Sequence, residues 1–542
     1  MSSQYKDLRS AENVLSTQLK QIRLRLLVLI VAFMSVFMII QIRLVDIMML
    51  QSDRLGNAGQ AYTMEGADRG KILDAHGNVI ATTLITASLY GNPKMILDPM
   101  DAAKKLVETF PDLTVDVVYK KLTAEKGFVW LKRNLSPQDQ QRVIELGIPG
   151  LDFQFEKKRI YPQGNLFSHI LGVTDIDGNG TAGVEKQFDH ILKDPNKEVQ
   201  LSLSLPIQHI LHNELKQSVE KFKAKGGSGM VISLKTGQIL GMVSAPDFDP
   251  NNPKTMCGEN AFNRNTLGVY EQGSVMKLLN TAMFLKYGKG GVHAVFDTSQ
   301  PLALGKFRIR DYRGGERRPL TVEEIFFHSS NIGSALMALS IGPEKQMEFL
   351  REVGLCDKPS IELPEKGRPL LPSKPSRGSC MTIAFGHGLA ASPIQFMQSI
   401  TNVLTEQHLP LSLLKNPDRP QSNIGELIAE KDRKALCELM LKTLEDGTAR
   451  KAKVQGYLIG GKTGTAEKVE NGRYLKNGRN LTSFFGVFPL DNPEYLVFVS
   501  LDEPHAIQGT YGFTAAGWNA APLGGRIITR IAPMLGVEPK FE

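Results

Sequence analysis

The stretch Tyr270-Glu271-Gln272-Gly273-Ser274-Val275-Met276-Lys277-Leu278-Leu279 decides how this chain is read. Gly273 interrupts whatever precedes it, and an apolar run from Val275 to Leu285 follows at helical spacing, so the segment reads as a helix start. Positions i and i+3 share a helix face, which lets Ser274 and Lys277 meet. A serine hydroxyl is a weak nucleophile until a base takes its proton. A lysine can be that base when burial and neighbouring cations pull its pKa towards neutrality. A helix amino terminus also favours the negative charge that develops during attack. The pattern suits acyl transfer. The same Ser-x-x-Lys spacing recurs at Ser218 and at Ser412, so spacing alone does not choose among them.

At 542 residues the chain exceeds one ordinary core, and two or more domains are expected. Its 42% hydrophobic and 22% charged residues are those of a globular protein. A net charge of +8 suits an anionic lipid or polymer nearby, but no basic run forms a nucleic-acid footprint. Cys257, Cys356, Cys380 and Cys437 lie far apart, lack metal-ligand spacing and leave any pairing open. No metal or cofactor is expected.

The amino terminus points to a membrane. Residues 1–25 are polar and carry Lys6, Arg9, Lys20, Arg23 and Arg25; Leu26 to Ile40 carries no charge. With its flanks this stretch is long enough to cross a bilayer, and no small-x-small cleavage site follows. The expectation is an uncleaved single-pass helix over 26–42, a cytoplasmic tail over 1–25, and everything beyond Arg43 outside the cell.

From 43 to 207 the chain reads as a mixed α/β module without concentrated chemistry. Arg69 to Gly77 reads as strand and tight turn, Asp101 to Lys121 as helix, Phe128 to Leu131 as a short buried strand, and Gly183 to Leu192 as a helix with Glu185 near its start. A charged helical stretch, Ile207 to Lys225, connects to the next module and carries Ser218 on an exposed face; residues 208–226 form the linker. From 227 to the end the pattern changes. Two apolar runs around Lys235-Thr236-Gly237 make a hairpin, so that Lys-Thr-Gly is turn chemistry.

Three signals follow Ser274. In Phe327-His328-Ser329-Ser330-Asn331, the Ser329 hydroxyl and Asn331 amide can bridge to Ser274 and Lys277, although both residue types also cap helices. In Gly460-Gly461-Lys462-Thr463-Gly464-Thr465, the glycines allow close approach of a ligand to a strand, Lys462 adds positive charge, and the Thr463 and Thr465 hydroxyls can hold a carboxylate. In Phe385-Gly386-His387-Gly388, His387 is a candidate base without identifiable partners.

Ser-x-x-Lys, Ser-x-Asn and Lys-Thr-Gly in this order resemble the motif set of penicillin-binding proteins and serine β-lactamases. Asn263-Arg264, Asp446-Gly447-Thr448-Ala449 and Ala520-Ala521-Pro522 add to the likeness. The anchor, Arg69-Gly70 through Gly77, and Arg159-x-Tyr161-Pro162 look like the pedestal of class B penicillin-binding proteins, and the compact pedestal is most similar to the cell-division type. Departures are Gln272 for a frequent proline, Val275 for threonine and His387 for tyrosine.

The resemblance implies an α+β multidomain protein. It would comprise a transmembrane helix, a pedestal of the dimerisation type over 43–207, and a serine β-lactamase-like transpeptidase domain over 227–542, an antiparallel sheet flanked by helices. It implies a peptidoglycan D,D-transpeptidase that crosslinks stem peptides at the septum and is acylated by β-lactams. The catalytic set would be Ser274, Lys277, Ser329, Asn331 and Lys462, with Thr463, Gly464 and Thr465 binding substrate. It also implies residence in the inner membrane and, with no glycosyltransferase segment ahead of the pedestal, an FtsW-like membrane glycosyltransferase and other division proteins as partners. The elongation-specific transpeptidase, a β-lactamase or penicillin-sensing receptor, and a non-catalytic division scaffold are the other readings.

Overall fold

The computed structural model describes residues 27–41, 43, 69–416, 426–470, 473–474 and 479–541. Residues 1–67 and 68–542 form two separate units. In the first, residues 27–41 are helical and expose apolar side chains such as Leu27, Phe33 and Ile40. Among the described residues no helix is long and apolar enough to cross a membrane. The tail over 1–25 and the ends of the expected 26–42 span lie outside the described residues.

The second unit begins with a small mixed sheet. Strand β1 (Lys71–Leu73) pairs antiparallel with the long β2 (Val79–Gly91) and parallel with β5 (Glu198–Gln200); β3 (Val129–Leu135) and β4 (Leu151–Ile160) both pair antiparallel with β2. Helices α1 (Pro99–Thr109), α2 (Val115–Leu122) and α3 (Pro137–Glu145) cover it through Leu106, Val118, Leu122 and Val143, which join Leu89, Leu131 and Leu135 in one core. The expected single helix over Asp101 to Lys121 is two. Asp98 caps the first by accepting from Met100 and Asp101 N–H, and Pro111 stops it, because the residue before a proline avoids helical geometry. Gly183–Gln187 and Asp189–Leu192 likewise form two short helices where one was expected.

These short helices place Glu185, which is fully buried, between two arginines distant in sequence. Its carboxylate accepts from Arg69 Nε at 2.5 Å and from Arg159 Nε at 2.7 Å. Arg69 also meets Asp189 at 2.7 Å, and Arg159 donates to the Gly70 carbonyl at 2.8 Å. The residues that looked scattered along the sequence thus close one charge cluster that ties β1, β4 and the short helices together.

Past Ser204 the chain enters α4 (Leu205–Lys221) and a five-stranded antiparallel sheet. Its strands are β6 (Gly226–Ser233), β7 (Ile239–Ala245), β8 (Gly460–Glu467), β9 (Asn480–Phe488) and β10 (Tyr495–Asp502), in the order β8-β9-β10-β6-β7. The strands are nearly continuously buried because both faces are covered, and alternate residues serve opposite layers. Phe484, Val497 and Val499 pack with Leu211 and Leu215 of α4 and Ile527 and Ile528 of the carboxy-terminal helix. Phe485, Phe498 and Leu496 pack with Val275, Leu278 and Leu279 on the other side. Each such aromatic or aliphatic side chain contributes about 1.5–3 kcal/mol when fully buried.

The stretch expected as an exposed linker helix is instead part of this packing. Helix α4 buries Ile207, Leu211 and Leu215 against the sheet, and Ser218 is 1% exposed and accepts from Arg526 at 2.9 Å. Lys235-Thr236-Gly237 is a hairpin turn as read, with Gly237 at φ +66° and Lys235 paired with Glu494 on the surface. All four cysteines are unpaired.

Replacing Glu185 with alanine leaves two buried guanidinium groups without their shared carboxylate. The expected loss is about 3–5 kcal/mol of stability, read as a drop in the unfolding midpoint of the purified protein. A loss of about 1 kcal/mol or less, the value for an exposed ion pair, would contradict a buried structural cluster.

Candidate active site

Ser274 sits in a short 3-10 turn, Gly273–Val275, that feeds directly into helix α5 (Met276–Tyr287). Close backbone contact fixes where this turn lies. Gly273 adopts φ +55°, and a Cβ there would stand 2.5 Å from the Thr465 carbonyl oxygen. From the other side, a Cβ on Gly464 would stand 2.4 Å from the Gln272 carbonyl oxygen. The glycines therefore let the turn lie flush against strand β8, which brings the first and last motifs together.

The middle motif arrives from a helix junction. Helix α6 (Val322–His328) ends at Ser329, and α7 (Asn331–Ile341) starts two residues on. Ser329 adopts the left-handed conformation, φ 57° and ψ 43°, which costs a non-glycine residue on the order of 1–2 kcal/mol. That conformation accompanies a double contact: Lys277 Nζ donates to the Ser329 carbonyl at 2.5 Å and lies 3.0 Å from the Ser329 hydroxyl. Its third contact is Asn331 Oδ1 at 2.8 Å. Ser274 Oγ makes no hydrogen bond among the described residues. No hydrogen bond joins the expected pair Ser274 and Lys277 among the described residues; the amine is held by the middle motif instead.

This geometry has a chemical consequence. Carbonyl oxygens only accept, whereas a hydroxyl also donates. A protonated Lys277 can donate to all three partners. A neutral Lys277 keeps N–H donors for the Ser329 carbonyl and Asn331, and can take the Ser329 hydroxyl proton into its lone pair. Ser329 is therefore the one partner able to exchange a proton with the amine.

Asn331 is itself held in place. Its Nδ2 donates to the Arg310 carbonyl at 3.1 Å, which turns Oδ1 towards Lys277. Asp311 accepts from Ser330 Oγ at 2.7 Å and from the Asn331 and Ile332 amides at 2.5 and 3.0 Å, capping α7. Neither Arg310 nor Asp311 was picked out from the sequence. Asp311 lies twenty residues before Asn331, and no periodicity links a loop acid to a helix that far downstream.

Electrostatics lowers the basicity threshold at both lysines. Lys277 is 1% exposed and Lys462 is 0% exposed. Burial holds the Lys277 amine well below the usual lysine range; the charge of Lys462 depresses it further, and Asp311 opposes the shift. Burial pushes Lys462 down to about 8. Lys462 Nζ has no hydrogen-bond partner among the described residues and lies 5.7 Å above the Phe326 ring.

The remaining expected residues converge on the same strand. Thr463 Oγ1 and Thr448 Oγ1 are 2.8 Å apart, which explains the Asp446-Gly447-Thr448-Ala449 segment. Thr465 Oγ1 accepts from the Ala516 amide at 3.1 Å and keeps its own proton for a ligand. His387 stands between Phe385 and Tyr474, with ring centroids at 5.3 and 5.4 Å. Burial, and next the Lys277 charge, push it down to about 4. The competing Ser412 is buried and donates to Glu362 at 2.6 Å, and Ser218 is consumed by Arg526, so neither is a free nucleophile. Among the described residues no cluster of metal-ligating side chains occurs.

Comparison with known proteins identifies the two modules. Residues 227–523 match the penicillin-binding protein transpeptidase domain, and residues 64–204 match the penicillin-binding protein dimerisation domain. The chain is 34% identical to the probable peptidoglycan D,D-transpeptidase FtsI of Caulobacter vibrioides, over 89% of this chain and 84% of that protein. It is 32% identical to the probable peptidoglycan D,D-transpeptidase PenA of Neisseria gonorrhoeae, covering 87% and 85% of the two chains. The peptidoglycan D,D-transpeptidase FtsI of Escherichia coli is 27% identical over 87% of this chain and 84% of its own length. A solved structure of a peptidoglycan synthetase from Bifidobacterium adolescentis shares the fold, with a TM-score of 0.67 and 20% identity over 88% of this chain and 97% of that one. The chain belongs to the class B penicillin-binding proteins.

The two depressed lysines predict a bell-shaped pH dependence of acylation by penicillin. The rate rises with pH as Lys277 loses its proton and becomes a base. It falls again above about pH 8, where Lys462 loses its positive charge. Lys462→Arg keeps a cation at all these pH values, so the falling limb should disappear. A falling limb unchanged in that variant would contradict its assignment to Lys462.

Proposed function

We propose that this chain is the peptidoglycan D,D-transpeptidase of cell division, crosslinking stem peptides through an acyl-enzyme on Ser274. The observation that supports this reading best is Lys277, stripped of water and held by Ser329 and Asn331 one helical turn from Ser274. The names of the Caulobacter and Escherichia coli relatives support the division role.

Ser274 Oγ attacks the carbonyl of the penultimate D-alanine of a stem peptide while Lys277 takes its proton. The backbone N–H groups of Ser274 and Thr465 hold the developing oxyanion; loss of one such donor raises the barrier by roughly 3–4 kcal/mol. The new Oγ–C bond stays, the C–N bond breaks, and the proton passes from Lys277 through the Ser329 hydroxyl to the departing D-alanine amine. Asn331 fixes Lys277 and the substrate amide. Lys462 supports the charge, while Thr463 and Thr465 hold the terminal carboxylate on either side of Gly464, whose missing side chain admits the nucleophile turn. An amine of a second stem peptide then attacks the ester, and the same relay runs in reverse. A β-lactam acylates Ser274 in the same way.

The apolar stretch over 26–42 supports a single membrane anchor, with the tail over 1–25 in the cytoplasm and the catalytic domain outside the inner membrane, at the septum. In this reading the glycan strands come from an FtsW-like membrane glycosyltransferase, and the pedestal meets other division proteins.

Ser274→Ala should abolish covalent labelling by fluorescent penicillin while the protein stays folded. Lys277→Ala should keep the nucleophile and slow acylation by about 100-fold or more. Labelled peptide carrying Ser218 or Ser412, or near-normal acylation of the Lys277 variant, would overturn the assignment.

A further inference from the structure

Glu271 lies three residues before Ser274 and has no role in the chemistry above. Its carboxylate is half-buried and reaches two segments distant in sequence. Oε1 accepts from the Gly388 amide at 2.7 Å. The Tyr474 hydroxyl lies 3.3 Å from both carboxylate oxygens. The His387 ring, adjacent to Gly388 in the chain, packs edge-on to Tyr474.

The loop that carries Gly388 also presses on the nucleophile turn. Gly386 adopts φ +90°, and a Cβ there would stand 2.0 Å from the Gly273 carbonyl oxygen, so the two backbones are in direct contact. Tyr270 meets Ala391 through a reciprocal pair of backbone hydrogen bonds, both 3.0 Å. The segment 386–391 is therefore joined to the segment 270–273 at three points, and Glu271 makes the only side-chain link among them. A shift of the loop cannot be absorbed at Gly386, where there is no spare space; it passes to Gly273 and so to Ser274.

We infer that Glu271 is a positioning residue for acylation: its carboxylate ties the Gly386–Gly388 loop and Tyr474 to the nucleophile turn and sets the attack geometry of Ser274. The proposal rests on Ser274 being the nucleophile. Glu271 touches no reacting atom. Its effect belongs to the acylation rate constant rather than to the initial binding of the substrate, because it orders the protein around the hydroxyl. Burial raises the Glu271 carboxyl above its ordinary value, while the Gly388 amide and Tyr474 favour the ionised form. Burial and then the Glu271 charge raise the Tyr474 phenol, which stays a donor at working pH. His387, Lys277 and Glu467 are the other titratable groups around these side chains.

The test is stopped-flow acylation of the full-length protein by fluorescent penicillin, resolved into binding and acylation constants, with mass spectrometry of the labelled peptide. Loss of charge-assisted hydrogen bonds predicts that Glu271→Ala lowers the acylation constant by about 10–100-fold, with binding little changed and the adduct still on Ser274. Glu271→Gln, which keeps an oxygen for the Gly388 amide, should recover much of that loss. Tyr474→Phe should cost less than Glu271→Ala and add nothing on top of it. Wild-type acylation in Glu271→Ala would overturn the proposal, as would a loss confined to binding or a glutamine variant as slow as alanine. An adduct absent from Ser274 in the wild-type protein would overturn the reading beneath it instead.

Discussion

The site depends on one constraint: a lysine amine kept out of water beside a second buried cation. A lysine in solvent is protonated at neutral pH and cannot take a proton from serine. Burial of Lys277 removes the hydration that stabilises its charge, and Lys462 adds repulsion. The cost of such a group is offset by three oxygen partners at 2.5–3.0 Å, from Ser329 and Asn331. Each of these partners is in turn fixed: Ser329 by a helix end in the left-handed conformation, Asn331 by Arg310 and Asp311.

The architecture around the site follows from that need for dryness. The central sheet is sealed on both faces, with Phe484 and Phe485 on successive positions of β9 serving opposite layers. Strand β8 lies at the edge, and the glycines at 273 and 464 allow the nucleophile turn to seat on it without an intervening side chain. Helix α5, buried along most of its length, anchors Lys277 from below. Far from this chemistry, Glu185 keeps the first module in one piece by joining Arg69 to Arg159.

Much of the site was legible in the sequence because its chemistry needs particular residue types at short spacing. Ser274 and Lys277 share a turn, Ser329 and Asn331 share a helix junction, and Lys462 to Thr465 share a strand. The turn at Lys235 was separable from Lys462 because two apolar runs flanked it. What was not legible depends on contacts across the fold. Asp311 and Glu271 act on segments 20 and 117 residues away, and no local pattern marks them. Glu185 stood at a helix start like any capping acid until the fold brought two arginines to it. Helix α4 looked exposed because its charges are dense, yet its apolar positions cover a sheet formed partly from strands more than 250 residues later. The expected helix over Asp101 to Lys121 is split by Pro111, a local signal that the sequence does carry.

The central claim is that Lys277 titrates well below an ordinary lysine, and it can be measured directly. Lysines of the purified protein would be labelled with carbon-13 at Cε and followed by NMR across a pH titration, with Lys277 assigned from Lys277→Arg. The account predicts that the Lys277 resonance titrates well below the surface lysines, as burial and the Lys462 charge require. It also predicts that Asn331→Ala, which removes one partner, changes that midpoint while leaving the surface lysines alone. A Lys277 resonance that titrates together with the surface lysines would contradict the account, because a charged amine could not activate Ser274.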